Sequence, residues 1–302
     1  MNRKSQLSYA SEVEGRAKKA LVNSLEILTG RRRLERLYHC ALDGLDRQHY
    51  LNVWEAALGA LQVRLEYDAE RLAAIPRNGP LIFIANHPYG VLDGLALCYL
   101  ASLTRDRDFR IMLISALSRE ERIADYVLPI DFSGTEEANR MNIATKHKAA
   151  ELLRNGGALI IFPGGGISTA QGLFGQVIDL DWKLFTAKLI QTTRCTVVPI
   201  LFHGQNGRLF QVVSQFSLTV RLALIIRELN KQVAHPLKIS IGAPIPYKEM
   251  AAISSRQALM EHLRRVTYAL GGIHDPGVAS IGQLARLQSW LPRRNRQPAT
   301  YG

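Results

Sequence analysis

The segment Asn86-His87-Pro88-Tyr89-Gly90-Val91-Leu92-Asp93-Gly94 carries an imidazole and a carboxylate six positions apart. A turn through Pro88 and Gly90 can fold the carboxylate of Asp93 back onto His87. A carboxylate beside one ring nitrogen sets the tautomer, raises the basicity of the imidazole and leaves the other nitrogen free as a general base. The plainer alternative is a histidine that only ties down its loop. Asn86 and Gly90 border the pair and are candidate substrate contacts. A second segment, Phe162-Pro163-Gly164-Gly165-Gly166-Ile167-Ser168, places three glycines where the backbone can approach a ligand closely. Their N–H groups suit an anion nest or an oxyanion hole, with Phe162, Pro163 and Ser168 at its margins. A simple turn is the competing explanation, since glycine is a default turn residue. In a third segment, Val198-Pro199-Ile200-Leu201-Phe202 runs into His203 and Asn206, which either line the same site or serve as loop hydrogen-bonders.

Each of these segments follows a short apolar run. Leu81–Ala85, Ala158–Phe162 and Thr196–Phe202 read as buried strands, and Phe109–Ser115 and Lys238–Ile241 as two more. Between them lie helical stretches: Leu95–Leu103, Asn142–Arg154 (stopped by Gly156-Gly157), Trp182–Thr192 and Arg256–Tyr268. This alternation predicts an α/β fold, a mixed, mostly parallel sheet flanked by helices. Such sheets take ligands at the carboxyl ends of their strands, where all three polar segments fall.

Residues 1–75 read as an N-terminal helical segment open to membrane association, 76–270 as the α/β domain that carries the three polar segments, and 271–302 as a basic tail holding Arg293, Arg294 and Arg296. Gly15–Leu45 carries Leu21, Leu25, Leu28, Leu34, Leu37 and Leu45 with Lys18, Lys19, Arg31, Arg32, Arg33 and Arg36 between them. That basic amphipathic pattern fits a helix packed on the domain or one lying on an anionic bilayer. Leu209–Leu229, with Leu209, Val213, Phe216, Val220 and Leu224 on one stripe, reads as a membrane- or acyl-chain-facing helix or as a core helix.

With 302 residues, 47% hydrophobic and 21% charged, the chain is neither disordered nor a polytopic membrane protein. The formal net charge of +12 calls for an anionic partner. The three cysteines are widely spaced, which suits a reducing compartment, and Ser5–Lys19 lacks the apolar stretch of a secretory signal. No GxSxG elbow, Walker A loop, HExxH helix, clustered zinc ligands or nucleic-acid signature occurs. Neither a metal site nor nucleic-acid binding is therefore expected.

The three polar segments, in this order and each at a strand end, resemble the boxes of the glycerolipid/lysophospholipid acyltransferase superfamily, typified by 1-acylglycerol-3-phosphate acyltransferase. Asn86-His87 through Asp93 is similar to the family's His-x4-Asp box with one additional residue, a spacing found in the hemolysin-like and lyso-ornithine-lipid branch. Phe162, Pro163, Gly165 and Ser168 match a Phe-Pro-Glu-Gly-Thr-Arg-Ser box, and Val198–Phe202 a Val-Pro strand. Gly164 stands where the family has Glu, Ile167 where it has Arg, and Leu128-Pro129-Ile130-Asp131-Phe132 lacks the Arg of the remaining box. The resemblance implies transfer of a fatty acyl group from an acyl thioester, of acyl-carrier protein or coenzyme A, to a lyso-lipid hydroxyl. His87 would be the base and Asp93 its orienter, without an acyl-enzyme and without a cofactor. The missing charges favour a lyso-ornithine lipid or another lyso-lipid over lysophosphatidate. Arg140, Lys146, His147 and Lys148 either replace the charge or form a solvated helix face. The substrates imply peripheral attachment to the cytoplasmic face of the inner membrane. Two other roles stay open: a non-catalytic lipid- or acyl-carrier-binding protein on the same fold, and a hydrolase in which the same pair activates water.

Overall fold

The computed structural model describes residues 15–115, 121–170, 176–213 and 218–273. The basic tail and Phe216 lie outside them. The chain opens with α1 (Arg16–Leu28), α2 (Arg31–Asp46), α3 (Val53–Ala60), β1 (Leu65–Glu66) and α4 (Ala69–Ala73). It continues through β2 (Leu81–Ala85), α5 (Val91–Arg105), β3 (Phe109–Ile114), β4 (Val127–Ile130), α6 (Glu136–Arg154) and β5 (Ala158–Ile161). A hairpin of β6 (Thr169–Ala170) and β7 (Val177–Ile178) precedes α7 (Leu184–Thr193) and β8 (Thr196–Phe202). The described chain closes with α8 (Arg208–Val213), α9 (Leu218–Gln232), β9 (Leu237–Ile241), α10 (Tyr247–Met250) and α11 (Arg256–Ala269).

Seven of these strands form one sheet in the order β1-β9-β8-β2-β5-β3-β4. The five from β8 to β4 run parallel, and β9 joins β8 antiparallel. The sheet is therefore mixed and mostly parallel, as its apolar runs predict. All five residues of the central β2 are buried. A strand covered on both faces reads as a continuous apolar run, which is why LIFIA shows no polar alternation. Its side chains alternate between two cores. Leu81, Phe83 and Ala85 pack with α2–α5, and Ile82 and Ile84 pack with α6, α7 and α11.

The chain leaves β2 toward β3 and β4 on one side, returns to β5, then crosses to β8 on the other side. That reversal is the switch point at which open α/β sheets form a crevice. Leu81–Ile84 is in register with Ala158–Ile161 and Leu81–Ala85 with Thr196–Ile200. The three polar segments therefore emerge side by side at one edge.

Two helical expectations change. Gly30 is left-handed (φ 103°) and breaks the N-terminal run into α1 and α2. The Asn230 amide seals the corner by donating to the carbonyls of Thr29 and Gly30. Leu34 of α2 joins the core under β2, while α1 packs on α9. The Leu209–Leu229 stripe is divided between α8 and α9 on either side of residues 214–217.

Candidate active site

Asp93 occupies the first turn of α5, and its position there is dictated by helix-end chemistry. The helix is entered through Gly90 at φ 79°, ψ −115°, a conformation that side chains with a Cβ rarely adopt. The Asp93 Oδ2 then accepts hydrogen bonds from the backbone N–H of Tyr89 (2.8 Å) and of Gly90 (3.0 Å). These are amides that the start of a helix leaves without partners. The same oxygen lies 3.1 Å from Nδ1 of His87, with the carboxylate wholly buried and the imidazole 19% exposed. The approach is off-axis, at ion-pair distance rather than as a straight hydrogen bond. Burial pushes the Asp93 carboxyl above the ordinary carboxylate range, and the His87 side chain and the two amides pull it partly back. The turn thus places the pair as the spacing predicts. The His87 Nε2 has no hydrogen-bond partner among the described residues, so the ring is held on its Nδ1 side and available on the other.

The imidazole stacks on Phe162, with ring centroids 4.0 Å apart and planes 25° from parallel. Phe162 is the first residue after β5, so the register of β2 against β5 produces this contact. Beyond it the glycine loop turns sharply. The Gly165 N–H donates to the Phe162 carbonyl (3.0 Å) and the Ser168 N–H to the His87 carbonyl (2.8 Å). The Gly164 and Gly166 amides donate to no described residue, which leaves them as the candidate oxyanion donors. Ile167 lies against Gly90: a Cβ built on Gly90 would sit 2.7 Å from the Ile167 Cδ1. Its other neighbours are Phe210, Leu224 and Ile225. The wall beside the His–Asp pair is therefore apolar at the position where the resembled box carries an Arg.

Other predicted residues are brought to this edge but turned to different tasks. The Asn86 side chain donates to the Phe202 carbonyl (2.9 Å) and accepts from the Phe202 N–H (2.7 Å), lacing the ends of β2 and β8 together. His203 pairs through Nε2 with the Ser240 Oγ on β9 at 2.8 Å, and burial with the Lys238 charge lowers its pKa. It has no contact with His87 among the described residues. Asn206 is buried between β8 and α8, and its Oδ1 lacks a partner there. The Pro163 carbonyl accepts from the Lys183 N–H at 3.0 Å. Arg140, Lys146, His147 and Lys148 lie exposed on α6. Arg140 is 3.7 Å from Glu136, and Lys146 sits over the Phe185 ring. None of the four contacts the His–Asp pair.

One residue that sequence reasoning passes over is Asp179, at the end of β7 and 1% exposed. Its Oδ1 accepts from the His87 N–H (3.1 Å) and the Ser168 hydroxyl (2.5 Å), and its Oδ2 from the Trp182 indole (3.0 Å). Burial raises its pKa, opposed by those three donors and by the nearby His87 charge. The only hint in the sequence is an acid three residues before Trp182, a weak signal because its partners His87 and Ser168 lie farther away along the chain. Among the described residues no three His, Cys, Asp or Glu side chains cluster as metal ligands.

A family model for acyltransferases matches residues 55–277. Similar proteins include two named lyso-glycine lipid O-acyltransferase. That of Phocaeicola vulgatus is 26% identical over 223 residues, covering 72% of this chain and 76% of the relative. That of Bacteroides thetaiotaomicron is 24% identical over 223 residues, covering 72% and 78%. Among solved structures, the 1-acyl-sn-glycerophosphate acyltransferase PlsC of Thermotoga maritima is 14% identical, covers 86% of this chain and 99% of its own, and has a TM-score of 0.47. The family match takes in β2, the His87–Asp93 turn, the glycine loop and β8 together, and the chain belongs to the acyltransferase family, as an O-acyltransferase.

Proposed function

We propose that the protein acylates the hydroxyl of a lyso-lipid whose headgroup is an amino acid rather than glycerol phosphate. The donor is an acyl thioester of acyl-carrier protein or coenzyme A. The observation that carries this reading is the His87 Nδ1 held 3.1 Å from buried Asp93 beside an apolar wall of Phe162 and Ile167. The names of the two bacterial relatives, which act on lyso-glycine lipid, support the same acceptor class.

The His87 Nε2 takes the acceptor's hydroxyl proton as its oxygen attacks the thioester carbonyl carbon. The imidazolium formed faces Asp93. The carbonyl oxygen, now an oxyanion, is met by the Gly164 and Gly166 amides, and each such donor is worth roughly 3–4 kcal/mol in the transition state. Collapse breaks the C–S bond, and the departing thiolate recovers the proton from His87. Proton and acyl group are the only things moved, so the step requires no oxidant or reductant. No helix among the described residues is long and apolar enough to cross a membrane. We infer peripheral attachment on the cytoplasmic face of the membrane, where thioesters are made. Exposed Lys19, Arg32, Arg33 and Arg36, beside exposed Leu28, would provide the contact.

The test is acyl transfer from labelled acyl-carrier protein and acyl-coenzyme A to lyso-ornithine lipid, lyso-glycine lipid, lysophosphatidate and other lysophospholipids, with wild type and His87→Ala side by side. Transfer to an amino-acid lyso-lipid, lost in the variant, is expected. Transfer confined to lysophosphatidate, or unchanged by the variant, overturns the reading. Fatty acid release without an acceptor would mark a hydrolase.

A further inference from the structure

We propose that Asp179 is a positioning residue of this acyl transfer, locking the His87 backbone to the glycine loop so that base and oxyanion donors keep one geometry. The inference rests on His87 and the glycine loop performing the chemistry given above.

Three observations carry it. The first is the set of donors on its carboxylate. The Oδ1 receives the backbone N–H of the base itself and the hydroxyl of Ser168, at the far end of the glycine loop. The Ser168 N–H returns to the His87 carbonyl. His87 is therefore clasped to Ser168 both directly and through one carboxylate. The second is the way Asp179 is itself anchored. Its N–H donates to the Tyr268 hydroxyl (2.8 Å), its carbonyl accepts from the Arg264 guanidinium (3.0 Å), and its Oδ2 accepts from the Trp182 indole. A buried carboxylate held at this many points cannot follow a shift of either loop, so it acts as a rigid post. The third is the fit against Gly164. A Cβ at that position would lie 3.1 Å from the Asp179 Cβ and 3.5 Å from its Cγ. A side chain at 164 would crowd Asp179, which fits glycine there: the loop leaves room for a carboxylate supplied by the residue that follows β7.

Asp179 reaches the substrate through nothing but the groups it holds, so its effect should fall on turnover and not on binding. Small misplacements of reacting groups cost up to about 100-fold in rate. Full-length wild type, His87→Ala, Asp179→Asn and Trp182→Phe would be compared by steady-state kinetics for donor and acceptor, with thermal melting as the folding control. Asn leaves one oxygen in place but sets an N–H₂ against the donors that Asp179 receives. A kcat lowered about 10–100-fold is expected for Asp179→Asn, with both KM values within about threefold. Supplying the carboxylate from the other side, as Gly164→Glu in an Asp179→Gly background that also removes the Cβ, should recover most of the kcat that Asp179→Gly alone loses. Gly164→Ala crowds the post and the oxyanion loop together, so Trp182→Phe, which only removes the indole donor on Oδ2, covers the case in which the Asp179 variants do not fold; a several-fold loss of kcat with both KM values kept is expected from it, and an unchanged kcat overturns the proposal. A folded Asp179→Asn with unchanged kcat, or a loss confined to KM, overturns the proposal while an inactive His87→Ala leaves the proposed reaction standing. Full activity in His87→Ala would remove the reaction itself.

Discussion

Replacing Asp93 by Asn removes a charge from the site while leaving its shape nearly intact, and its consequences for catalysis and stability have opposite signs. The Asn oxygen can still accept from the Tyr89 and Gly90 amides. Its N–H₂ falls where Oδ1 already lacks a partner. What disappears is the negative charge 3.1 Å from Nδ1. With an effective dielectric near 20, a unit pair at that distance is worth about 5 kcal/mol, and this attraction exists only once His87 has taken the proton. Converted to rate, about 5 kcal/mol is ~10⁴-fold, an upper bound because the imidazole, 19% exposed, is partly screened by water. A fall in kcat of about 10²–10⁴-fold is expected, in the range of general-base contributions. For stability, the folded-state pKa of Asp93 is raised above its ordinary 3.8 by burial. The folded protein therefore binds that proton more tightly than the unfolded chain, and stability falls as pH rises from the unfolded value through the folded one. Once pH exceeds the raised folded-state value, the wild type carries this cost in full and the Asn variant does not. The variant should melt at the same or a higher temperature at pH 7 to 8, with the advantage vanishing toward pH 4. Acyl-transfer kinetics and melting curves across that pH range read both effects. A kcat within about tenfold of wild type, or a variant clearly less stable at pH 8, would refute the reasoning.

Two further substitutions separate acceptor choice from fold stability. Ile167→Arg puts a guanidinium beside Gly90, where the aliphatic stem can lie on Phe210 with the charge directed to solvent. Turnover of lysophosphatidate relative to amino-acid lyso-lipids should rise about tenfold, the worth of one modest charge contact, in a competition assay with both acceptors present. An unchanged ratio would show that the apolar wall does not select the acceptor. Arg105, 3% exposed, donates to the carbonyls of Pro76 (3.0 Å), Gly79 (2.8 Å) and Gly156 at the opposite edge of the sheet. Arg105→Ala orphans all three. It should cost about 3 kcal/mol in denaturant unfolding while kcat, measured where the protein is still folded, stays within about twofold of wild type. A large kcat loss would mean that the far edge is coupled to the site.

The sequence made legible what local physics controls. Leu81–Ala85 and Thr196–Phe202 end where their apolar runs end, because β2 and β8 are covered on both faces and tolerate no polar interruption. β1 and the β6–β7 hairpin escape such reading because two-residue strands show no periodicity. The helices α5 and α6 begin four and six residues earlier than their apolar patterns suggest, since Gly90 and the Thr135 cap set their starts. At the site, the His87–Asp93 turn was readable because a short loop closes it. Asn86, Ser168 and His203 were readable as polar groups at strand ends, but their partners at Phe202, Asp179 and Ser240 were not, being set by the order of strands across the sheet.

Asp179 is the extreme case. It lies 92 residues from the amide it receives and is joined to it only because β5, β7 and α11 converge on one edge. A motif records residues that a reaction needs near one another in the chain, while the carboxylate that holds those residues still can enter from any segment the fold brings past. Gly164 is the trace such a group leaves in the motif. Its missing side chain is occupied volume, and an absent residue type in an otherwise matching box is a reason to look for a neighbour that has taken its place.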